Sequence, residues 1–372
     1  MTWTELSPIV FAIGGGLGLF ALSFAIATVL VRLVRARAIS WGLVDRPGDR
    51  KIHEAPMPKG GGIAVYLAAA LPIALGLGAG WIFYHHTPDW VPQELAVHLP
   101  GLVGAAPTVL AILAGGAAIL VLGLVDDLRG LGPWPKLAVE TLVALMIVLV
   151  GIRASLFVRA HWFGGAATVI WIVLITNSFN LLDNMDGLST GVAFVAGVLF
   201  FWATVQTGQW FVSSYLLVFL GSLAGFLRHN FPPATIFLGD AGSLYIGYQL
   251  AVLTVASSFY EPAYEFYPVA LPVLVLVVPL FDTGRVVWIR WREKRPIFQG
   301  DTRHLSHRLV DLGMSRKEAV LVIYLLTLAT GLGSLVLYHV KSDRGAGFLL
   351  AQLAAILALV VLLVRPGGRR SS

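Results

Sequence analysis

The chain has 372 residues, of which 57% are hydrophobic and only 12% charged, whereas soluble domains carry about 25% charged residues. This composition excludes a pair of soluble domains and a disordered chain. Because the chain has no cysteine, it also excludes a disulfide-stapled secreted domain, a thiolate nucleophile and a cysteine-ligated metal. The net charge of +6 is interpreted as a membrane-topology signal rather than as a nucleic-acid surface.

Apolar runs of about 20 residues, the length that crosses a bilayer core, recur along the whole chain. The predicted fold is all-α and polytopic, a single integral membrane domain over 1–372 with about 11 transmembrane helices. No basic residue precedes Arg32, so no signal peptide is expected and the first span is retained. The predicted spans are 8–31, 61–80, 105–125, 137–152, 164–179, 188–206, 211–228, 241–258, 268–289, 318–338 and 347–364.

Lysine and arginine are distributed unevenly between the two sides of these spans. With the N-terminus outside and alternating spans, 22 of the 26 basic residues fall on the inner side and 4 on the outer side. Because cytoplasmic loops carry the excess of Lys and Arg, the C-terminus is predicted to be cytoplasmic. The acidic motifs collect at the same inner face, which predicts a functional cavity there.

The first acidic motif is the pair Asp126–Asp127, which follows the apolar run 105–125. Two adjacent carboxylates repel, so the pKa of one rises unless a cation intervenes. Lys136, at the start of the next span, is placed to lie over the same cavity. The alternative is a helix end whose carboxylates solvate a tight turn.

In the second motif, an acid or amide recurs every three residues, at Asn177, Asn180, Asp183 and Asp186. A helical turn would place neighbouring members near one face, and Gly187 then allows the chain to bend. Their oxygen atoms suit a hard cation such as Mg²⁺, which one or two carboxylates usually hold together with water and substrate phosphate. The alternative is a polar helix end with side-chain caps.

The third motif places Asp240 in the glycine-rich segment 239–243, at the start of a span. Backbone N–H groups at such a helix start attract phosphate, and the carboxylate can hold the metal that neutralises it. The alternative is an Asx turn with a helix N-cap.

Basic residues complete the inner face. Lys51 and His53 precede the glycine run 60–62, a loop able to bring backbone close to a ligand. Contacts to a diphosphate are preferred to a histidine metal site for the segment 301–309, because no third metal ligand is spaced for one. The alternative for these clusters is inner-face charge that meets anionic lipid. The segment 301–309 contains two arginines and two histidines of interest, Arg303, His304, His307 and Arg308.

Together these motifs describe a membrane enzyme that handles a Mg-bound diphosphate beside a lipid substrate. The chain resembles the polyprenyl-phosphate N-acetylhexosamine-1-phosphate transferases of glycosyltransferase family 4, and the matching segments occur in the family's order. It is closer to the branch that uses UDP-N-acetylglucosamine than to the branch that uses UDP-N-acetylmuramoyl-pentapeptide. The segments are DRPGDRKIHEAPMPKGGG (45–62), GLVDDLRGLGPWPKL (123–137), NSFNLLDNMDGLSTG (177–191), FLGDAGS (237–243) and DTRHLSHRL (301–309).

The resemblance implies a cytoplasmic cleft open to the inner leaflet, Mg²⁺ (with Mn²⁺ as the alternative ion), and two substrates, a UDP-sugar and a polyprenyl phosphate. Asp240 would be the principal metal ligand and Asn180 a second. Asp126 would take the proton from the lipid phosphate, and Asp127 and Asp183 complete the implied catalytic set. Substrate binding is implied for Lys51, His53, Lys136, Asn177, Asp186, Arg303, His304, His307 and Arg308.

Two positions depart from the family's pattern. Ser306 stands where the branch often has a histidine, which excludes histidine chemistry there. Asn184 replaces the glycine that often follows the first aspartate, which alters the local turn but keeps both carboxylates.

The implied reaction is attack by the polyprenyl phosphate on the β-phosphorus of the UDP-sugar, with release of UMP, as the first membrane step of lipopolysaccharide or teichoic acid synthesis. UDP-N-acetylmuramoyl-pentapeptide is the alternative donor. A secondary transporter would want ionisable residues at mid-membrane, whereas here they cluster at one surface. A non-catalytic scaffold is disfavoured because all five acid positions are present. A homodimer is left open.

Overall fold

The computed structural model describes residues 3–45, 56–154, 161–257, 270–296, 303–336 and 343–364. Two short strands, β1 (Val44–Asp45) and β2 (Met57–Pro58), pair antiparallel, with Val44 opposite Pro58. The helices are α1 (Trp3–Arg37), α2 (Gly61–His85), α3 (Gln93–Ala96), α4 (Leu99–Arg129), α5 (Pro133–Leu149), α6 (His161–Leu182), α7 (Leu188–Gln206), α8 (Trp210–Asn230), α9 (Gly239–Ala256), α10 (Leu271–Val275), α11 (Val277–Arg292), α12 (Leu305–Asp311), α13 (Arg316–Val336) and α14 (Asp343–Val364).

Seven helices in the described part of the chain are long and apolar enough to cross a membrane. The protein is therefore an all-α polytopic membrane protein, as the composition predicts. The other four predicted spans are also helical, and they correspond to α5, α9, the pair α10–α11, and α14. The seven are Gly15–Arg37, Gly61–His85, Leu99–Arg129, Trp162–Leu182, Leu188–Gln206, Trp210–Asn230 and Arg316–Val336.

The chain forms two compact units, Met1–Ser257 and Ser258–Ser372. In the first unit α9 is the central helix, because it packs against α2, α4, α6 and α7. Every residue from Ala241 to Thr254 is buried. Because α9 begins with Gly239 and Asp240, its central position brings the third acidic motif to the ends of the helices around it.

In the second unit α13 packs against α10, α11 and α12. The prediction of one continuous span over 268–289 is wrong, because α10 ends at Val275 and α11 begins at Val277. In a continuous helix the ring of Pro279 would clash with the carbonyl group of Val275, four residues earlier, and Pro279 has no N–H to donate. The break therefore follows from the proline.

Candidate active site

The turn between α4 and α5 is built around Asp126. Its Oδ1 accepts a hydrogen bond from the backbone N–H of Leu131 at 2.7 Å, and its Oδ2 accepts one from Lys136 Nζ at 2.6 Å. Gly130 ends α4 with a φ of 66°, a left-handed conformation that glycine adopts without steric cost. Asp126 and Lys136 thus lie together, as predicted. The same contacts show that Asp126 also organises a tight turn.

Asp127 caps the N-terminus of α9. Its Oδ1 accepts a hydrogen bond from the backbone N–H of Asp240, and its Oδ2 accepts one from that of Ala241, both at 3.1 Å. Lys59 Nζ lies 3.6 Å from Asp127 Oδ1 and 3.4 Å from Asp45 Oδ1. Burial lowers the pKa of Lys59, but the carboxylates of Asp127 and Asp45 outweigh this effect and raise it above the ordinary 10.5. Asp127 is therefore a buried carboxylate that joins α4 to α9 and has a lysine beside it.

Glycines permit this close approach of α2 and α4 to α9. A Cβ atom on Gly62 would lie 2.3 Å from the backbone nitrogen of Gly242, and one on Gly123 would lie 2.3 Å from the Cα of Ala241. Real Cβ atoms essentially never come so close to backbone, so both positions require glycine. The three helices consequently pack backbone to backbone at the end that carries the aspartates.

These contacts correct two predictions about phosphate. The N–H groups of Gly61 and Gly62 donate to the carbonyl oxygens of Phe237 and Leu238, at 3.0 Å and 3.1 Å. These two groups of the glycine run are thus occupied by protein, and the prediction that they approach a ligand is wrong. The N–H groups of Asp240 and Ala241, predicted to attract phosphate, bind the Asp127 carboxylate instead.

Asn180 connects the end of α6 to the first turn of α9. Its Nδ2 donates to Asp240 Oδ1 at 2.6 Å and to Ser243 Oγ at 3.0 Å. The predicted neighbourhood of Asn180 and Asp240 is therefore confirmed, although the two residues are far apart in sequence. Rotation of the amide group by 180° would turn its oxygen towards the same position.

Asp183 and Asp186 lie in the turn between α6 and α7, because α6 ends at Leu182. The prediction of one helical face through all four residues of this motif is therefore wrong beyond Asn180. The bend at Gly187 is confirmed, with a φ of 74°. Asp186 Oδ2 accepts a hydrogen bond from the backbone N–H of Ala234 at 3.0 Å. Asp186 thus fixes the loop that leads from α8 to α9.

Asp183 carries a carboxylate that accepts no hydrogen bond from the described residues. Burial raises the pKa of Asp183 well above its ordinary value, and the nearby carboxylates of Asp240 and Asp127 raise it further. Lys59 acts in the opposite direction. Asp183 is therefore held where negative charge is not fully neutralised by the protein.

This end of the first unit has more acidic than basic groups. Two lysines, Lys59 and Lys136, serve the five aspartates Asp126, Asp127, Asp183, Asp186 and Asp240. No three Asp, Glu or His side chains are arranged to hold a metal ion within the described ranges. Mg²⁺, however, usually takes only one or two carboxylates and completes its shell with water and substrate phosphate. The donor chemistry of Asp240, Asp183 and Asn180 fits such an ion.

Glu140 is a buried carboxylate that the sequence analysis missed. It lies in α5, one turn after Lys136, and its side chain is fully buried. Its Oε2 accepts a hydrogen bond from Asn177 Nδ2, which also donates to the carbonyl oxygen of Val173 at 2.9 Å. Both N–H bonds of the Asn177 amide are thus used, which fixes the direction of its oxygen. An acidic residue within a predicted apolar span was the available signal.

In the second unit, His304 pairs with Asp282, another residue that the sequence analysis missed. Asp282 Oδ2 lies 2.6 Å from His304 Nδ1, and Asp282 Oδ1 accepts a hydrogen bond from the backbone N–H of Leu305 at 2.7 Å. Arg303 Nη1 donates to Glu293 Oε1 at 2.6 Å. The arginine predicted to bind substrate therefore also has a protein partner.

The remaining predicted binding residues are less constrained. His307 lies on α12 with its ring centroid 6.3 Å from that of His304. Burial lowers the pKa of His307, and the positive charges of His304 and Arg316 lower it further. Arg308 Nη1 lies 3.9 Å from Asp311 Oδ2. Two other predicted binding residues, Lys51 and His53, lie outside the described residues.

The chain was compared with known protein families and curated proteins. Residues 109–258 match the family model described as glycosyl transferase family 4. A Bacillus subtilis protein named probable undecaprenyl-phosphate N-acetylglucosaminyl 1-phosphate transferase is 31% identical over 326 residues, which cover 86% of this chain and 84% of that protein. A Mycolicibacterium smegmatis protein named decaprenyl-phosphate N-acetylglucosaminephosphotransferase is 30% identical, over 94% of this chain and 88% of that protein.

A more distant relative carries a similar name. The Salmonella typhi protein named undecaprenyl-phosphate alpha-N-acetylglucosaminyl 1-phosphate transferase is 25% identical, over 81% of this chain and 78% of that protein. The family match at 109–258 includes the second and third acidic motifs as well as the Asp126–Asp127 pair. The chain belongs to glycosyl transferase family 4, on the branch whose members are named as N-acetylglucosaminyl 1-phosphate transferases.

Proposed function

We propose that this protein transfers N-acetylglucosamine-1-phosphate from UDP-N-acetylglucosamine to undecaprenyl phosphate, giving a polyprenyl-diphosphate-linked sugar and UMP. The observation that carries the proposal is the group of five aspartates and two lysines where α4, α6 and α9 meet. Such a group at the ends of membrane helices suits two phosphorylated substrates, one of them a lipid. The names of the family relatives supply the sugar.

The proposed topology has eleven spans, with the N-terminus outside and the C-terminus in the cytoplasm. The excess of Lys and Arg on one side supports this orientation. The aspartates lie at the C-terminal end of α4 and the N-terminal end of α9, which the charge distribution assigns to the cytoplasmic face of the plasma membrane. A soluble UDP-sugar and the phosphate group of a membrane lipid can meet there.

The proposed reaction is a single displacement. An oxygen of the polyprenyl phosphate forms a bond to the β-phosphorus of the UDP-sugar, and the bond from that phosphorus to the bridging oxygen breaks, so that UMP leaves with the electron pair. Asp126 would accept a proton from a monoprotonated lipid phosphate, and its pairing with Lys136 keeps it anionic until then. Retention of configuration at phosphorus would instead indicate a phospho-enzyme.

We propose that Asp240 and Asn180, with Asp183, hold a Mg²⁺ ion, for which Mn²⁺ can substitute. When bound, the ion would offset the charge that develops on the bridging diphosphate oxygen. The support is the uncompensated carboxylate of Asp183, whose pKa burial and the neighbouring aspartates raise well above its ordinary value. Lys59 and Lys136 would orient the two phosphorylated substrates by charge.

The proposal is tested by transfer of labelled sugar phosphate from UDP-N-acetylglucosamine to undecaprenyl phosphate, with Mg²⁺ or with EDTA. Asp126→Asn and Asp240→Asn are expected to lower the rate at least about 100-fold, the scale of losing one preorganised charged group. Asp89→Asn makes the same chemical change at an exposed loop position and serves as the matched control. Labelling only from UDP-N-acetylmuramoyl-pentapeptide would overturn the sugar, and no labelling from any donor would overturn the enzyme assignment.

Metal binding has a test that does not depend on activity. Mg²⁺ is expected to raise the thermal unfolding temperature of the wild-type protein, and Asp240→Asn is expected to abolish that increase. Asp89→Asn should keep it. An equal increase in Asp240→Asn would place the ion elsewhere.

A further inference from the structure

Asp282 is a buried carboxylate to which none of the proposed steps assigns a role. It lies in α11, its residue is 1% exposed, and both of its oxygens are engaged by consecutive residues of another segment. Oδ2 lies 2.6 Å from His304 Nδ1, and Oδ1 accepts the backbone N–H of Leu305, the first residue of α12. An ionised carboxylate can only accept hydrogen bonds, so the proton of the histidine contact belongs to Nδ1.

A second contact from the same helix holds the preceding residue. Arg285, one turn after Asp282 on α11, donates from Nη1 to the carbonyl oxygen of Arg303. Residues 303–305 are therefore fixed to α11 by a side chain, a carbonyl and an N–H group in succession. The position of the His304 ring is thus set by α11 and not by its own short helix.

The other ring nitrogen of His304 is left for a ligand. Nε2 has no hydrogen-bond partner among the described residues, yet it is not sealed from solvent in the way that His229 Nε2 is. A carboxylate bound at Nδ1 orients the ring and stabilises the form in which both nitrogens carry a proton. Nε2 can then donate to an anionic oxygen, and the Asp282 carboxylate offsets the second positive charge.

We infer that Asp282 is a positioning residue that fixes His304 with Nδ1 protonated and presents Nε2 to the diphosphate of the sugar nucleotide. The substrate part of this inference rests on the proposed function. The Asp–His pair itself rests only on contacts within the second unit. The competing explanation is that Asp282 merely caps α12 through Leu305.

The pair is tested first by ¹⁵N spectra of the detergent-solubilised full-length protein, labelled at histidine. The His304 signals are assigned by their loss in His304→Gln. In the wild type, Nδ1 is expected to be protonated, a form that free neutral imidazole in water disfavours, and in Asp282→Asn the proton should move to Nε2. Glu293→Gln, the same acid-to-amide change at the end of α11, should leave the His304 signals unchanged. A neutral wild-type ring with its proton on Nε2 would overturn the inference.

Transfer kinetics then separate positioning from capping. Asp282→Asn is expected to lower kcat/KM for the UDP-sugar roughly 10- to 100-fold, as with other partners that orient a functional histidine. The loss should appear mainly in the KM for the nucleotide sugar, and Asp282→Glu should restore part of it. In the His304→Gln background, Asp282→Asn should cause no further loss, because its effect passes through the ring.

An additional full loss in that double variant would show that Asp282 acts by capping α12, and would overturn the inference. If Asp282→Asn does not fold, the wild-type spectrum and Asp282→Glu decide. If the wild type shows the expected protonation but transfers no sugar phosphate, the pair stands, and both the proposed function and the substrate part fail.

Discussion

Gly123→Ala tests whether the packing of α4 on α9 holds the aspartates in place. The added Cβ would lie 2.3 Å from the Cα of Ala241, whereas carbon atoms pack at about 3.5–4.0 Å. The helices must therefore separate by more than about 1 Å. The hydrogen bonds from Asp240 and Ala241 to Asp127, now 3.1 Å, would lengthen to about 4 Å, beyond hydrogen-bond distance.

The expected cost combines overpacking and lost capping. Overpacking costs about 1–3 kcal/mol, and each hydrogen bond to a charged group contributes about 1.5–3 kcal/mol. Because relaxation spares part of both, we expect the free energy of unfolding to fall by roughly 3 kcal/mol. Transfer activity should fall at least about tenfold, because misplacement of reacting groups by about 1 Å is already costly.

The assay is thermal unfolding in detergent together with sugar-phosphate transfer. Gly104→Ala is the matched control, since it makes the same substitution on α4 where a Cβ would meet nothing within 4 Å. This control is expected to be neutral or to stabilise the protein by up to about 1 kcal/mol, because alanine favours helix. Equal behaviour of the two variants would refute the argument that α9 is held by backbone contact at Gly123.

Two further predictions follow from buried charges. Asp126→Asn and Lys136→Met should each lower the free energy of unfolding by about 3 kcal/mol, because each leaves an uncompensated charge, and the double variant should recover part of that stability but no activity; additive losses in chemical denaturation would contradict the pairing. The pKa of His307 is lowered in the folded state, so the unfolded state binds more protons as pH falls through about 6.5. Stability should therefore decrease from about pH 7 to pH 5, and His307→Gln should reduce that decrease; an unchanged pH dependence of the unfolding temperature would refute it.

The sequence by itself determined the membrane class and the helices, because the hydrophobic effect acts on composition and run length. It also collected the aspartates at one face, since each acidic motif borders a span and alternating spans return to the same side. The neighbourhoods of Asp126 with Lys136 and of Asn180 with Asp240 followed from these two rules.

The roles of individual carboxylates were decided by tertiary structure. Asp127 caps a helix that begins 112 residues later, a partnership that depends on glycines at two other helices. Glu140 and Asp282 lie inside apolar segments, where an acidic residue marks a special site but does not name its partner. Hydrogen-bond partners lie within about 3 Å and depend on how helices pack, and no spacing along the chain encodes that distance.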